Sequence, residues 1–406
     1  MSNWNSTTIG NLCDSISDTY KRNDGHVVLI NTSDVLEGNV LNHQPVLNQK
    51  LKGQFKKTFR INDILYSEIR PANKRFAFID FKDTSHYIAS TKLMVLRPRT
   101  DIVLPEFLFA ILKSKNVVDE LQYLAETRSG TFPQITFSSE LAPMEVRVPD
   151  IPTQKRIVSV LKAIEDKIKI NTAINENLEQ QAQAIFKSWF VDFEPFGGVV
   201  PDEMQLVPLQ DLCEVVTKGT TPTTLGKSFS NQGINFIKAE SILNNHSLDR
   251  GRFAYIDEET NSLLKRSIIK EGDIVFTIAG TLGRFALVDD TVLPANTNQA
   301  VAIIRANKTK LLPEYLYSFF LGNWHNDYYK KRVQQAVQAN LSLTTIKSLP
   351  IAMLSNETTD NYNRLIIPII QTMKTNEYEN QHLGALRDTL LPKLMSGEID
   401  VSEVKI

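Results

Sequence analysis

The chain contains two copies of one sequence plan, and this internal repeat constrains its fold more than any other feature. Residues 11–14 (NLCD) return at 211–214 (DLCE), an offset of 200, and residues 75–80 (RFAFID) return at 284–289 (RFALVD), an offset of 209. Three further pairs keep the same order, namely 30–36 with 237–243, 63–65 with 273–275, and 104–108 with 312–316. Because the order holds while the offset drifts, the repeat predicts two domains of one fold whose loops differ in length.

Each copy begins with about 150 residues of mixed character. Short β-rich runs, such as those at 26–30 and 301–304, accompany helical stretches near 106–112 and 314–321. This mixture predicts an α/β (α+β) fold for each globular domain. We therefore expect four segments, which are a first domain at 1–150, a first spacer helix at 151–195, a second domain at 196–355, and a second spacer helix with a C-terminal tail at 356–406.

A long coiled-coil helix is predicted to follow each domain. From about 153 to 190, apolar residues recur at alternating steps of four and three, which is typical of a coiled-coil seam. Asparagines interrupt the seam in both copies at equivalent positions, and buried amides must find hydrogen-bond partners, so we expect the two helices to pair in antiparallel orientation. The predicted interhelix and partner-contacting residues are Ile157, Leu161, Ile164, Ile168, Asn171, Asn175, Leu178 and Trp189 in the first helix, and Asn376, Asn380 and Leu383 in the second.

An alternative is that each helix packs only on its own domain. A helix of roughly 38 residues spans about 57 Å, which is more than a domain of this size needs, so the length favours a spacer. Pro368 lies early in the second helix and is expected to kink it or delay its start, which leaves a regular helix only from about Ile369 onward.

The chain resembles the specificity (S) subunits of type I restriction-modification systems. The motifs that carry the resemblance are residues 152–158 (PTQKRIV), 184–196 (AIFKSWFVDFEPF) and 390–398 (LLPKLMSGE), and it extends over essentially the whole chain. It implies two target recognition domains, arranged as an internal pseudo-twofold repeat, that each read one half of a bipartite double-stranded DNA site. It also implies that the antiparallel helices set the unread spacer and dock two methyltransferase (M) subunits.

The same resemblance implies that this chain is not itself an enzyme. It implies further restriction/translocase (R) subunits in the complex, with S-adenosylmethionine, ATP and Mg²⁺ bound by those partner subunits and no cofactor bound by this chain. Pro368 and Arg387 make the second helix less regular than the first, so we expect the two docking surfaces to be unequal.

Local basic clusters would have to supply DNA contacts, because a formal net charge of −1 by itself argues against a nucleic-acid partner. Lys and Arg neutralise phosphates, while Arg, Asn and Gln can hydrogen-bond base edges. We also note the amides of Asn296, Asn298 and Gln299 as candidate readers of adenine, with an ordinary polar surface as the alternative for every cluster. The predicted DNA-contacting residues are Lys52, Lys56, Lys57, Arg60, Arg70, Asn73, Lys74 and Arg75 in the first domain, and Lys218, Thr220, Thr221, Lys238 and Arg284 in the second.

No catalytic or metal-binding residues are predicted. The chain has no Pro-Pro pair, so it lacks the tetrad with which amino-methyltransferases hold a target base, and Thr221 occupies the position of the first glycine of a phosphate-binding loop. Its six histidines show no metal-ligand spacing. Cys13 and Cys213 are expected to be small buried residues.

The sequence also indicates a compartment and leaves two alternative functions open. The longest apolar runs are too short to span a membrane and the N-terminus lacks a signal sequence, so we expect a cytoplasmic protein. A protein-binding scaffold and an unrecognised nuclease remain alternative functions. The nuclease predicts metal-dependent cleavage of DNA by the purified chain alone, and the scaffold predicts domains that bind protein instead of DNA.

Overall fold

The structure is a computed structural model that describes residues 4–21, 25–48, 53–128, 132–333 and 340–404. The chain divides into two compact units, one made of Met1–Ile168 with His382–Ile406 and the other of Lys169–Gln381. Each unit therefore contains one α/β domain together with a part of each long helix.

The first domain combines two four-stranded sheets with helices. In one sheet the strand order is β2-β11-β8-β9, in the other it is β6-β3-β10-β7 with β3 parallel to β10, and β1 pairs with β12. The strands are β1 (Asn5–Thr8), β2 (Cys13–Ile16), β3 (His26–Ile30), β4 (Val35–Leu36), β5 (Asn39–Val40), β6 (Val46–Leu47), β7 (Phe55–Lys57), β8 (Ile64–Ser67), β9 (Phe76–Phe78), β10 (Tyr87–Ser90), β11 (Leu93–Pro98) and β12 (Glu145–Val148), and the helices are α1 (Ile9–Leu12), α2 (Pro105–Lys113) and α3 (Lys115–Arg128).

The long helix α4 (Ile151–Phe190) leads into a second domain with the same plan. Its sheets have the orders β14-β20-β17-β18 and β16-β15-β19, with β15 parallel to β19, and β13 pairs with β21. The strands are β13 (Gln205–Pro208), β14 (Cys213–Lys218), β15 (Ile234–Ile237), β16 (Ala254–Ile256), β17 (Ile274–Thr277), β18 (Phe285–Leu287), β19 (Ala295–Thr297), β20 (Val301–Ala306) and β21 (Pro350–Met353), the helices are α5 (Leu209–Leu212), α6 (Glu258–Leu263), α7 (Pro313–Leu321), α8 (Trp324–Val333) and α9 (Leu343–Lys347), and α10 (Asn356–Ser396) follows.

The predicted α/β (α+β) repeat is thus confirmed, and its core explains the apolar runs in the sequence. Along β8, Ile64 and Tyr66 pack with the helices, while Leu65 on the opposite face packs with the second sheet. Because side chains alternate between the faces of a strand and both faces are covered, all four residues of β8 are buried. The same alternation occurs along β17, whose four residues are also buried.

A buried ion pair occupies the same position in each domain. The guanidinium of Arg97 donates to both carboxylate oxygens of Asp63 at 2.9 and 2.8 Å, and Arg305 donates to both oxygens of Asp273 at 2.7 Å. Asp63 and Asp273 are 1% and 0% exposed. Arg97 lies on β11 and Arg305 on β20, and each carboxylate lies just before the neighbouring strand, β8 or β17. Each bidentate pair therefore joins the start of that strand to its neighbour in the sheet.

The first long helix begins and ends close to the predicted positions, 153 and 190. Its start is fixed by Asp150, whose carboxylate accepts a hydrogen bond from the Thr153 amide at 2.9 Å. Hydrogen bonding by the Thr153 side chain, and then by its amide, lowers the pKa of Asp150. The buried amide of Gln154 then accepts from the Leu104 amide at 2.8 Å and donates to the Ile102 carbonyl at 3.1 Å. The helix is therefore fastened to the first domain from its first turn.

The prediction that Pro368 delays the second helix is wrong, because α10 runs without interruption from Asn356 to Ser396. Pro368 lies on the exposed side of the helix, where the carbonyl that loses its amide partner can bond to water. The opposite side carries Tyr362, Ile366 and Ile370, which are at most 1% exposed and pack in the core of the second unit. This burial outweighs the local cost of the proline.

Both long helices pack on domain cores as well as carrying the asparagines. Ile157 and Leu161 of α4 share the core of the first unit with Leu391 and Leu394 of α10, and the end of α4 packs through Phe186 in the second unit. Packing on a domain and pairing between the helices are therefore not alternatives in this fold.

Candidate nucleic-acid interface

The first basic cluster of the first domain is only partly accessible to a ligand. Lys56 and Arg60 have exposed side chains. The ammonium of Lys57, however, donates to the carbonyl oxygens of Thr91 at 3.1 Å and Leu93 at 2.8 Å, and its burial lowers the pKa of Lys57. The ammonium of Lys57 is therefore bonded within its own domain, which argues against the predicted contact of Lys57 with DNA.

The second basic cluster lies in the loop between β8 and β9. Arg70 and Asn73 are exposed, and Lys74 is exposed but forms an ion pair with Glu37 at 3.0 Å. An exposed pair of this kind contributes little to stability, so Lys74 can exchange its partner for a phosphate at small cost. Lys52, the remaining predicted cation of this domain, lies outside the described residues.

Arg75 and Arg284 occupy equivalent positions and have the same structural role. Arg75 donates to the carbonyl oxygens of Ser33 and Val35 at 3.1 and 3.3 Å, and Arg284 donates to that of Ile242 at 3.2 Å. The guanidinium of Arg75 thus holds the loop that follows β3, and that of Arg284 holds the equivalent loop that follows β15. These bonds direct both guanidinium groups toward their own domain, which argues against the predicted contacts of Arg75 and Arg284 with DNA.

Two further second-domain candidates are also engaged within the fold. Lys238 forms an ion pair with Glu240 at 2.8 Å. Asn296 is completely buried, where it accepts from the Ser267 hydroxyl at 2.7 Å and donates to Asn261 at 2.8 Å. Asn296 therefore supports the loop instead of reading a base.

The remaining candidates of the second domain come together at one edge of the sheet. Gly219 donates its amide to the Asn298 carbonyl at 3.1 Å, and a Cβ atom at this glycine would lie 1.8 Å from the Thr297 carbonyl oxygen. Only glycine permits this approach of the two loops. It brings the hydroxyl of Thr221 into a hydrogen bond with the side-chain carbonyl oxygen of Gln299.

Arg266 reaches the same place from the segment before β17, and it was not among the predicted residues. Its Nη2 lies 3.5 Å from the Lys218 carbonyl oxygen and 3.4 Å from the Thr220 hydroxyl, and its side chain is exposed. The offset of 210 that relates β8 to β17 also aligns Arg266 with Lys56. That alignment was the signal that could have identified it.

The first domain has an equivalent edge. The Tyr20 amide donates to the Lys56 carbonyl at 2.8 Å, which joins the loop after β2 to the segment before β8. Lys21 is exposed, and Lys92 lies 3.3 Å from Glu68 in an ion pair. We call these regions the polar edges, defined by residues 18–21, 54–58 and 90–92 in the first domain and by 218–221, 265–267 and 297–299 in the second.

The asparagines of the two long helices are paired within the second unit. Asn171 donates to the side-chain oxygen of Asn380 at 3.0 Å, and Asn376 donates to that of Asn175 at 2.8 Å. Asn175 in turn donates to the Met373 carbonyl at 2.9 Å. Asn171 of α4 pairs with Asn380 of α10, and Asn175 pairs with Asn376, so residue numbers rise along α4 while those of their partners fall along α10. These two segments are therefore antiparallel.

The other predicted seam residues differ in burial. Asn171 is completely buried, and the ring of Trp189 packs edge-on against Tyr362, with 5.3 Å between the ring centroids. Of the remaining predicted positions, Ile157, Leu161 and Ile164 are buried, and Ile168, Leu178 and Leu383 are half-buried.

Neither a metal site nor a reactive thiol is found in the part of the chain that the structure describes. No group of three His, Cys, Asp or Glu side chains there could hold a metal ion. Burial raises the pKa of both Cys13 and Cys213 to about 12, which keeps these thiols protonated at neutral pH. None of the helices described has the length and apolar character that crossing a membrane requires.

Comparison with known proteins gives consistent similarities. Residues 1–180 and 201–381 match the family described as the type I restriction modification DNA specificity domain. The HindI specificity subunit of a type I restriction enzyme of Haemophilus influenzae is 32% identical over 475 aligned positions, which cover 98% of this chain and 100% of that protein. The MjaIX specificity subunit of Methanocaldococcus jannaschii is 24% identical and covers 75% of this chain and 71% of its own length. The crystal structure of an S subunit from M. genitalium has the same fold, with a TM-score of 0.55, 15% identity, and coverage of 97% of this chain and 96% of that one.

Proposed function

The chain belongs to the type I restriction modification DNA specificity family, and from this membership we propose that its two domains read the two halves of a bipartite duplex site. The resemblance stated from the three sequence motifs is confirmed by this family. The chain is accordingly a specificity subunit, a non-catalytic component of a restriction-modification complex.

The observation that carries the two-half proposal is that one fold occurs twice and presents a polar edge each time. Lys56 in the first edge and Arg266 in the second are exposed cations at equivalent positions, next to loops that offer hydroxyl and amide groups. Cations position a protein on the phosphates, and hydrogen-bonding side chains distinguish the base edges. Because the chain's net charge is −1, such local clusters have to provide the attraction to DNA.

The long helices are proposed to set the unread distance between the half-sites and to dock two methyltransferase subunits, with restriction subunits joining through the complex. The paired asparagines support the first role, because they fix the register of α4 against α10. S-adenosylmethionine, ATP and Mg²⁺ are then bound by the partner subunits, and the complex acts on DNA in the cytoplasm.

The test is a selection from random duplex DNA by the full chain assembled with its methyltransferase subunits at moderate salt. We expect recovered sequences with two defined segments separated by an undefined one. An exchange of residues 1–150 for the corresponding domain of a relative should then change one segment, and an exchange of the second domain should change the other. No sequence preference over random DNA, or a change of both segments after one exchange, would overturn the proposal.

A further inference from the structure

The polar edge of the second domain has a composition that favours one kind of base. Gly219 brings the loop 218–221 against the turn 297–299, so the positions of these groups are set by backbone contact and do not depend on a flexible loop. Thr221 bonds to Gln299 there, and Arg266 bonds to the carbonyl oxygen of Lys218 and the hydroxyl of Thr220 in the same loop.

In the structure, Thr221 contacts the carbonyl end of the Gln299 amide. The threonine hydroxyl donates to the side-chain carbonyl oxygen of Gln299, so the NH₂ group of that amide is directed away from Thr221. Gln299 is exposed. A glutamine that is held in this way offers hydrogen-bond donors to a ligand, whereas an unrestrained glutamine can offer a donor and an acceptor together and so bind adenine in bidentate fashion.

Arg266 adds donors of the same kind. Its hydrogen bonds within the described residues both use Nη2, to Lys218 and Thr220, which leaves the N–H groups of Nε and Nη1 for a ligand. The guanidinium cannot accept a hydrogen bond. The site therefore presents donors from both Arg266 and Gln299.

We propose that Arg266 and Gln299, with Thr221 as the residue that orients Gln299, read a guanine in the half-site of the second domain. In the major groove guanine presents two acceptors, N7 and O6, whereas adenine presents one acceptor and one donor, so a surface made of donors discriminates between them. This inference rests on the proposed function, since it names the base chemistry that one of the two domains selects.

The test compares matched variants of the full chain, assembled with its methyltransferase subunits, in selection from random duplexes. Arg266→Ala should relax the preference at one guanine of the second half-site by roughly 10- to 100-fold and leave the first half-site unchanged. Lys265→Ala removes the same charge from the adjacent exposed residue and should weaken binding to all sequences equally.

Two further measurements address the geometry. Substitution of 7-deazaguanine, which lacks the N7 acceptor, at that guanine should reduce binding of the wild-type complex by at least about 5-fold and leave the Arg266→Ala complex unaffected. Thr221→Val should broaden the base preference at that guanine, because it frees the Gln299 amide to turn and to offer an acceptor.

The outcomes separate this inference from the proposed function. If the wild-type complex selects no sequence, the proposed function fails. If the wild-type complex is specific but Arg266→Ala lowers its affinity for every sequence to the same degree as Lys265→Ala, Arg266 contacts phosphate and the guanine inference is overturned. A second half-site without a guanine also overturns it.

Discussion

The paired asparagines of the long helices allow a double-mutant test of the helix register. Asn376 donates to Asn175 at 2.8 Å, and Asn175 donates to the Met373 carbonyl at 2.9 Å. Asn376→Leu removes the donor and leaves the side-chain oxygen of Asn175 without its partner at a half-buried position. An unsatisfied group of this kind costs about 1 to 3 kcal/mol, and partial exposure places the expected loss near the lower half of that range, at about 1 to 2 kcal/mol.

Asn175→Leu should cost a similar amount, because it leaves the Asn376 amide without its acceptor. If the two losses were independent, the double variant would lose about 2 to 4 kcal/mol. Replacing both partners by leucine removes both unsatisfied groups and adds apolar area to the seam, so the double variant should be within about 0.5 kcal/mol of wild type or more stable. The coupling energy between the positions is then about 2 to 4 kcal/mol.

Urea unfolding followed by tryptophan fluorescence suits this measurement, because Trp189 lies on α4 and packs against Tyr362 of α10 in the second unit. Asn177→Leu is the matched control, since Asn177 is exposed on the same helix and bonds only to Gln181 among the described residues, at 2.6 Å. The control should change stability by less than about 0.5 kcal/mol. Additive losses in the double variant would refute the argument that these amides act as a pair.

Three other predictions concern stability and spacing. Burial lowers the pKa of His325 from 6.5 to about 3, so the unfolded chain binds a proton that the folded chain does not, and stability should fall by about 1.4 kcal/mol per pH unit below pH 6.5. His325→Phe keeps a ring near Phe320 and should remove this dependence of stability on pH. The measurement is the change in urea midpoint between pH 7 and pH 5, and an equal change in wild type and variant would contradict the prediction. Arg305→Met leaves the carboxylate of Asp273 buried without its partner and should cost about 3 to 5 kcal/mol in the second unit, measured by calorimetry against the full chain, and a loss below about 1 kcal/mol would show that the pair is dispensable. Inserting two heptads into the middle of each long helix should lengthen the undefined segment of the selected DNA and leave both half-sites intact, whereas an unchanged spacer would exclude the helices as the ruler.

The repeat and the first long helix could be read from the sequence because their signals extend over many residues. Ordered matches over some 200 residues predicted two domains of one fold, and the seam predicted the helix that runs from Ile151 to Phe190. The expected delay of the second helix at Pro368 did not occur, for a local reason. A proline at an exposed position removes one hydrogen bond, and the sequence does not reveal which side of the helix the core covers.

The polar edges could be predicted only in part, because a sequence shows charges but not their partners. Lys57 and Arg75 belong to basic clusters, yet both donate to backbone carbonyls of their own domain. Arg266, which lies beside Lys265, was not among the predicted basic clusters, although the repeat aligned it with Lys56. In this chain, the repeat alignment was a better guide to exposed cations than local charge density.

Residues that hold the frame of each domain are the same in the two copies, whereas residues of the polar edges differ between them. The buried pairs of Asp63 with Arg97 and of Asp273 with Arg305 are the same in both domains, as are the loop-holding arginines. The polar edges differ in both loops, with DTYK against KGTT in the first loop and STK against TNQ in the turn before β11 and β20. Since base readout depends on the donors and acceptors that the edges present, one frame with two different edges should select two half-sites of different sequence. A recognised site whose halves are inverted copies of each other would contradict this argument.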